Sequence, residues 1–313
     1  MPPDAQATLC GIPHRHGARA EVEDPGHRIG LHATCVGVAG GFASTCAAFS
    51  SGDNAAMKIA TFNVNSIRRR LPNLLAWLER ELPDVACLQE LKSLDTDFPA
   101  AELEAAGYHA VWKGQKSWNG VAILARGTVP ERGLDVLPGD DGDTQSRWLE
   151  AKVGTLHVAC LYLPNGNPQP GPKFDYKLAW FARLHVRAAQ LVAAKYPVVL
   201  AGDYNVVPTP SDIYPTKSFD KDALVQPESR AAYRALLEQG WVDAIRTLHP
   251  GEPMYTFWDY MRQRWPRDAG LRIDHLLLNP VAARRLESAG VDRWVRGEES
   301  ASDHAPAWVT LAP

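Results

Sequence analysis

The chain has 313 residues, a formal net charge of −3 and 45% hydrophobic residues, which is ordinary globular composition. These values exclude a disordered chain, a collagen-like chain and a coiled coil, and no apolar stretch is long enough to predict a membrane-spanning helix. Because the charge is nearly balanced, composition does not indicate a generally basic surface, so a nucleic-acid partner has to be argued from a site.

The first 56 residues differ in composition from the rest of the chain. They are rich in Gly, Ala, Pro, His and Ser, and they hold three of the five cysteines but none of the ten tryptophans. We expect residues 1–56 to be a disordered extension or the product of a mis-assigned start codon. A targeting segment is the less favoured alternative, because the weakly apolar stretch 36–48 lies far from the N-terminus and follows acidic residues. The folded domain is therefore predicted over residues 57–313.

From residue 57 onward, short apolar runs alternate with amphipathic segments. Leu71, Leu75, Leu78 and Leu82 have the spacing of one helix face, and Pro83 ends that helix. Hairpins mixed with helical crossovers predict one α/β or α+β domain with a mixed sheet and helices outside it. The predicted strands are 58–62, 85–89, 121–124, 148–153, 156–163, 198–201, 241–245, 273–278 and 307–311, and the further predicted helices are 174–195 and 230–239.

Polar residues recur where an apolar run ends and a loop begins. Taken singly, each is equally typical of a turn or a helix cap, so only the combination indicates a site. The oxygen ligands among them suit a hard cation such as Mg²⁺ or Mn²⁺, and an imidazole is left for acid/base or electrostatic work. The sequence has no GxSxG, GxxxxGK[ST], HExxH or GxGxxG motif, which excludes several other chemistries. The strand-end residues are Asn63, Glu90, Asp203, Asn205, Asp274, Asp303 and His304.

Seven segments in chain order resemble the exonuclease III family of DNA-repair nucleases, which includes the apurinic/apyrimidinic (AP) endonucleases. The family lies within the endonuclease/exonuclease/phosphatase superfamily, and the resemblance covers residues 57–313. It implies a four-layer sandwich of two packed mixed β-sheets flanked by helices. The segments are IATFNVNSIR (59–68), PDVACLQELK (83–92), WNGVAIL (118–124), LYLPNG (161–166), VVLAGDYNVVP (198–208), YTFWDYMRQRWPRDAGLRIDHLLL (255–278) and SDHAP (302–306).

The resemblance also implies a role for each matching residue. Glu90 is the principal metal ligand, with Asp303 and Asn63 completing or supporting the site and Asp203 and Asn205 beside it. His304 contacts the scissile phosphate and is oriented by Asp274. Asp203 either activates the attacking water or protonates the leaving group, and Asn205 and Tyr162 bind phosphate oxygens.

Residues around these segments are candidates for DNA binding. Phe257, Trp258 and Trp265 could wall a pocket for an extruded abasic sugar, and core packing is an equally good interpretation of the first two. Arg262, Arg264, Arg267 and Arg272 form a predicted basic patch. The residues that could follow a phosphate backbone are Lys92, Lys113, Lys116, Trp118, Asn119 and Asn165.

Together these features predict a monomeric, Mg²⁺-dependent nuclease that cuts double-stranded DNA 5′ to abasic sites and removes nucleotides or blocking groups from 3′ ends. The alternatives are another superfamily phosphodiesterase, acting on RNA, a phosphoinositide or a phospholipid, and a non-catalytic DNA-binding protein. Five cysteines without CxxC spacing favour a reducing compartment, so we expect a bacterial cytoplasmic enzyme.

Overall fold

The computed structural model describes residues 56–313. The expectation of an extension at 1–56 falls almost wholly outside these residues. Within the described residues, no helix is long and apolar enough to cross a membrane. The fold consists of twelve strands in two six-stranded sheets, with six α-helices among the described residues.

The first sheet has the strand order β11-β12-β1-β2-β4-β3. Its central strands β1 and β2 are parallel, and the other neighbours are antiparallel. The strands are β1 (Met57–Asn63), β2 (Val85–Gln89), β3 (Tyr108–Lys113), β4 (Val121–Arg126), β11 (Leu286–Val291) and β12 (Ala307–Leu311).

The second sheet has the order β5-β6-β7-β8-β10-β9. Here β7 and β8 are parallel, and β10 runs antiparallel to β8. The strands are β5 (Glu131–Arg132), β6 (Trp148–Val153), β7 (Leu156–Tyr162), β8 (Val198–Asp203), β9 (Val242–Asp243) and β10 (Asp274–Leu278), and the helices are α1 (Leu71–Glu81), α2 (Ala100–Ala105), α3 (Pro172–Val192), α4 (Pro227–Glu238), α5 (Ala244–Leu248) and α6 (Pro280–Ala283).

Three apolar layers hold these elements together. Side chains such as Cys87 of β2 and Val199 of β8 meet between the two sheets. Trp77 of α1 covers the outer face of the first sheet, and Trp180 of α3 covers the outer face of the second. Since strands in such a sandwich are buried on both faces, they read as continuous apolar runs. This arrangement confirms the predicted four-layer sandwich.

The predicted strand at 241–245 is wrong. Only Val242 and Asp243 pair with β10, and α5 begins at the next residue. The cause is helix capping, because the Asp243 carboxylate accepts a hydrogen bond from the Arg246 backbone N–H at 3.1 Å. The apolar residues that suggested a strand, Ala244 and Ile245, are buried on one side of this short helix.

The predicted face of α1 is also only partly correct. Leu74, Trp77 and Leu78 are the buried residues of this helix. Leu82 follows the helix in a left-handed conformation and its side chain is 50% exposed. The helix ends before the last residue of the predicted stripe, so that residue cannot share its buried face.

Candidate functional site

The site lies where strands of both sheets end at one edge of the sandwich. Asn63 is the last residue of β1, and Glu90 directly follows β2. Asp203 ends β8 opposite Asp274, which begins β10. A Cβ on Gly202 would lie 2.0 Å from the Leu161 carbonyl oxygen, so glycine lets β8 approach β7 closely just before Asp203. The strand pairing and the packing of the two sheets thus bring together residues more than two hundred positions apart in sequence.

Asn63 joins the carboxylates of the two sheets. Its Nδ2 donates to Glu90 Oε1 at 2.9 Å and to Asp203 Oδ2 at 3.0 Å. Its Oδ1 accepts the backbone N–H of Asn65 at 3.0 Å, which fixes the orientation of the amide. The amide therefore presents N–H groups to the carboxylates and no oxygen. This placement makes Asn63 a bridge between two acidic residues, and its predicted part in the metal site stays a prediction.

Glu90 is held as a charged carboxylate. The Tyr162 hydroxyl donates to Oε1 at 2.8 Å, and the Lys92 ammonium lies 2.8 Å from Oε2. Burial alone would raise the pKa of Glu90, but the charge of Lys92 and the hydrogen bond from Asn63 lower it below its usual value. Glu90 has a φ of 54°, in the left-handed region, and such strain is common where a side chain has to be aimed at a site.

Residues 118–120 (WNG) contact the loop that carries Glu90 and Lys92 and support it. The backbone N–H of Lys92 donates to the Asn119 carbonyl at 3.0 Å. The Asn119 side chain is 5% exposed and donates to Gln115 Oε1. Asn119 therefore positions the Glu90 loop, and the structure leaves its amide little surface for DNA. Trp118, by contrast, is 70% exposed, and the Lys92 ammonium lies 5.8 Å from the centre of its ring.

His304 and Asp274 form a buried pair. His304 Nδ1 lies 2.8 Å from Asp274 Oδ2, and Nε2 lies 3.9 Å from Asp203 Oδ2. Burial alone would lower the pKa of His304, but the charge and hydrogen bond of Asp274 outweigh it and raise the pKa to about 10. The imidazole is therefore positively charged at neutral pH. The Phe257 ring packs edge-on against it with 5.0 Å between ring centres.

Asp203, unlike His304, has a pKa close to neutral pH. Its carboxylate is 1% exposed, and it accepts the Asn205 backbone N–H at Oδ1 over 2.8 Å. Burial, and then the nearby charge of Asp274, raise the pKa of Asp203 to about 7, against the lowering effect of His304. A carboxyl group with this pKa can both accept and release a proton near neutral pH.

Asn65 also lies inside the site, although it was not among the predicted site residues. Its Nδ2 donates to Asp303 Oδ1 at 2.9 Å, and its Oδ1 accepts from the Lys92 ammonium at 2.7 Å. Asn65 thereby links Asp303 to the Lys92 and Glu90 pair. The NVN spacing after β1 repeats the DYN spacing after β8, and that repetition was the available signal.

Comparisons with known proteins agree with this geometry. The profile of the endonuclease/exonuclease/phosphatase family matches residues 60–304. The chain belongs to this family. It is 35% identical over 266 residues to exodeoxyribonuclease III of Haemophilus influenzae, covering 80% of this chain and 98% of that protein. The structure of a 3′-5′ exonuclease from Neisseria meningitidis matches with a TM-score of 0.79 and 38% identity, covering 82% and 100% of the two chains. An AP endonuclease structure from Archaeoglobus fulgidus matches with a TM-score of 0.77 and 36% identity, covering 82% and 99%.

The resemblance to exonuclease III is thus confirmed, and the protein is a phosphodiester hydrolase of a metal-dependent family. The residues present fit a metal ion. Asp203, Asp274 and His304 each offer an atom within 4.8 Å of the others, but a protonated His304 cannot bind a metal. The donors that suit a hard cation are therefore the carboxylates of Asp203, of Glu90, which Asn63 joins to it, and of Asp303, which Asn65 joins to Lys92. Asp274 Oδ1 is buried and has no hydrogen-bond partner among residues 56–313, a costly state for a carboxylate oxygen unless a cation or donor satisfies it.

Two amide side chains of the site, Asn165 and Asn205, lie in the loops that follow β7 and β8 of the second sheet. Asn205 donates from Nδ2 to the Leu163 carbonyl at 2.9 Å and accepts at Oδ1 from Asn165 Nδ2 at 3.0 Å. Asn165 is exposed. Beneath both lies Lys177, a fully buried residue that sequence analysis missed because nothing in the helical pattern of α3 distinguishes it.

Three residues that were predicted to contact DNA are buried, so these predictions are wrong. The residues are Trp258, Arg272 and Arg264. Trp258 is fully buried and donates to Asp268 Oδ1 at 3.0 Å, so it belongs to the core. Arg272 is also fully buried, because it pairs with Asp212 and Asp243. Its place in a basic patch is therefore excluded.

Arg264 is 6% exposed, and its guanidinium bonds Ser218 and lies over the Phe219 ring. It is therefore also unavailable to a basic patch. Arg262 and Arg267 remain exposed, and Lys113 donates to the Asp135 carbonyl. The predicted patch is thus reduced to two surface arginines.

Proposed function

We propose that this protein is a Mg²⁺-dependent DNA-repair nuclease, with Mn²⁺ as a substitute metal, that incises double-stranded DNA 5′ to abasic sites and removes nucleotides or blocking groups from 3′ ends. The observation that carries the proposal is the buried His304–Asp274 pair facing Asp203, with Glu90 joined to Asp203 through Asn63. The relatives named as exodeoxyribonuclease III, 3′-5′ exonuclease and AP endonuclease support this substrate class.

His304 supplies positive charge to the reaction. Its Nδ1 is held by Asp274, so Nε2 is the nitrogen left to face a phosphate oxygen. A fixed imidazolium in a buried site stabilises the negative charge that develops on phosphorus oxygens when water attacks. Asp274 keeps the ring oriented and protonated, and itself needs no contact with the substrate.

Asp203 accepts or donates the proton that is transferred in the reaction. Its Oδ2 accepts from Asn63 and faces His304 Nε2 at 3.9 Å, which leaves room for a reacting oxygen near both groups. As a carboxylate it takes a proton from the attacking water, and as a carboxylic acid it gives one to the leaving oxygen. Its intermediate pKa suits either role.

Glu90 and Asp303 are the residues that would hold the metal, with Asp203 adjacent. When bound, the metal polarises a phosphoryl oxygen and offsets charge on the leaving oxygen. One acid or base contributes roughly 10²- to 10⁴-fold to a rate, which falls short of what phosphodiester hydrolysis requires. Lys92 pairs with Glu90 and donates to Asn65, and Asn65 donates to Asp303. These contacts keep the two proposed ligands in place.

The substrate phosphate would be bound by Tyr162, Asn165 and Asn205, and duplex DNA would lie against Trp118 and Lys92. Phe257, beside His304, would face the abasic sugar. We further propose that the protein acts as a monomer in the bacterial cytoplasm on nucleoid DNA, as its resemblance to bacterial exonuclease III implies.

A substrate panel tests the proposal. Equal amounts of wild-type protein are incubated with Mg²⁺ and either a duplex with one abasic site, an intact duplex with a 3′-phosphate, single-stranded RNA, a phosphoinositide or sphingomyelin. We expect turnover of the two DNA substrates, and none after EDTA treatment until Mg²⁺ is restored. Turnover of RNA or lipid alone would favour another superfamily activity, and DNA binding without any turnover would favour a non-catalytic protein.

A further inference from the structure

Lys177 is an unusual buried amine behind the site. Its side chain is fully buried in α3, and its amine donates to the main-chain carbonyls of Asn165, at 3.1 Å, and Asn205. Burial lowers the pKa of Lys177 to about 7. Burying this polar group is costly, and the hydrogen bonds to the two carbonyls offset that cost.

The two carbonyls belong to the two loops that carry the amides of the site. Asn165 lies just after β7 and Asn205 just after β8, and their side chains are hydrogen-bonded to each other at 3.0 Å. Asn205 has a φ of 47°, a left-handed backbone that has to be held in place. Lys177 therefore ties both loops together from below, at the point where their amides meet above.

The chain makes room for this lysine. A Cβ on Gly166 would lie 2.7 Å from Lys177 Cδ and 3.1 Å from Ala223 Cβ, and Gly166 has a φ of +91°. Any side chain at this position would push the lysine stem away from the loops. Gly166 and Lys177 thus act together to hold the loops that carry the Asn165 and Asn205 amides.

We propose that Lys177 is a positioning residue that holds Asn165 and Asn205 in the orientation needed to bind the phosphate of the substrate. This inference rests on the proposed function and adds a residue to its phosphate-binding side. The role depends on two N–H donors directed at two carbonyls, not on contact between Lys177 and DNA. Loss of Lys177 should consequently act through Asn205 and leave the metal side of the site unchanged.

A double-mutant cycle tests this role. Lys177→Met, Asn205→Ala and the double variant are assayed on a duplex with one abasic site at varied Mg²⁺. We expect Lys177→Met to lower kcat/KM roughly 10- to 100-fold, because both hydrogen bonds to the Asn165 and Asn205 carbonyls are lost. The double variant should be no slower than the slower single variant, and the Mg²⁺ concentration for half-maximal rate should not change. Losses that multiply, or a shifted Mg²⁺ requirement, would overturn the positioning role.

Two further variants separate positioning from stability. Leu184→Ala creates a cavity on the same helix, away from the site, and should lower the unfolding midpoint without changing kcat/KM. Gly166→Ala keeps the amine but displaces it, and should reproduce the loss and its non-additivity with Asn205→Ala even where Lys177→Met does not fold. Unchanged kcat/KM in folded Lys177→Met or in folded Gly166→Ala overturns the inference. A wild-type protein that fails to incise would instead refute the proposed function and this role with it.

Discussion

Asp203 and Asp274 lie directly opposite each other in the antiparallel pair of β8 and β10. Both carboxylates are buried, but only Asp274 is hydrogen-bonded to His304. Burial and the neighbouring charge raise the pKa of Asp203 to about 7. Strand register places the two carboxylates side by side, and the hydrogen bond between Asp274 and His304 separates their tasks, one fixing an imidazolium and the other exchanging a proton.

The first prediction concerns the residue that fixes the imidazolium. Asp274→Asn removes the negative charge beside His304 Nδ1, so the ring loses both its orientation and the partner that favours its charged form. We expect kcat for abasic-site incision to fall roughly 10²- to 10³-fold. Asp292→Asn is the matched control, because Asp292 is a buried carboxylate that bonds Trp77 and Trp308 away from the site. That control should change stability and not kcat, and equal losses in both variants would argue against a catalytic role.

The second prediction concerns the exposed tryptophan. Trp118→Ala should raise KM for duplex DNA roughly 5- to 100-fold with kcat and unfolding midpoint unchanged, because an exposed ring can stack on or cover DNA. Trp258→Phe is the contrasting variant, since its buried ring fills the core and its Nε1 donates to Asp268. It should lower the free energy of unfolding by about 1–3 kcal/mol with KM unchanged. Steady-state kinetics measure KM and kcat, and thermal melts and urea unfolding measure the midpoint and the free energy of unfolding. The reverse pattern would contradict the placement of the two rings.

The third prediction concerns salt. Arg267 is exposed, whereas Arg264 is buried against Ser218 and Phe219. Arg267→Gln should reduce the slope of log Kd against log salt by about one, the effect of losing one phosphate contact. Arg264→Gln should leave that slope unchanged and lower stability instead. A slope that changes only in the Arg264 variant would mean that the basic surface lies elsewhere.

The fourth prediction concerns acid stability. Glu150 is 1% exposed and bonded by His157 and Arg187. Burial raises its pKa, but these partners outweigh burial and lower the pKa from 4.5 to about 2. Because the folded-state pKa is depressed, the stabilisation is present above pH 4.5 and is lost as the pH falls toward 2, a change of about 3 kcal/mol.

Urea unfolding of the wild type and Glu150→Gln across this pH range measures that loss. The difference in unfolding free energy between them should shrink as the pH falls. Glu131→Gln is the control, because Glu131 pairs with Lys152 on the surface at 72% side-chain exposure. A constant difference for Glu150→Gln would show that the carboxylate charge does not stabilise the fold.

The sequence predicts the central strands well and the edge strands poorly. The VACLQ segment of β2 is buried on both faces, so its composition identifies it directly. The strands missed were β3, β5 and β11, which lie at sheet edges; β3 and β11 mix polar with apolar residues, and β5 has only two residues, both charged. Their pairing depends on the neighbouring strand, which no local pattern contains.

The residues of the site also divide into those that a local motif identifies and those that depend on distant contacts. Glu90, Asp203 and His304 stand in ordered motifs, so the sequence identifies them and the strand ends bring them together. Asn65 and Lys177 act through contacts with distant segments. For Asn65 the only local signal is the NVN spacing, and the local sequence of Lys177 does not distinguish it from an ordinary helix residue. Arg272 was misplaced on the surface for the same reason, because its partners Asp212 and Asp243 are far away in sequence.

The most direct test of the central claim is the single-turnover rate of incision of a 5′-labelled duplex with one abasic site, in Mg²⁺, by the wild type, His304→Asn and Glu90→Gln. We expect a product cut 5′ to the abasic site by the wild type, and a rate at least roughly 10²-fold lower in each variant, with circular dichroism unchanged. Incision at near wild-type rates by either variant would contradict the assignment of these residues to catalysis.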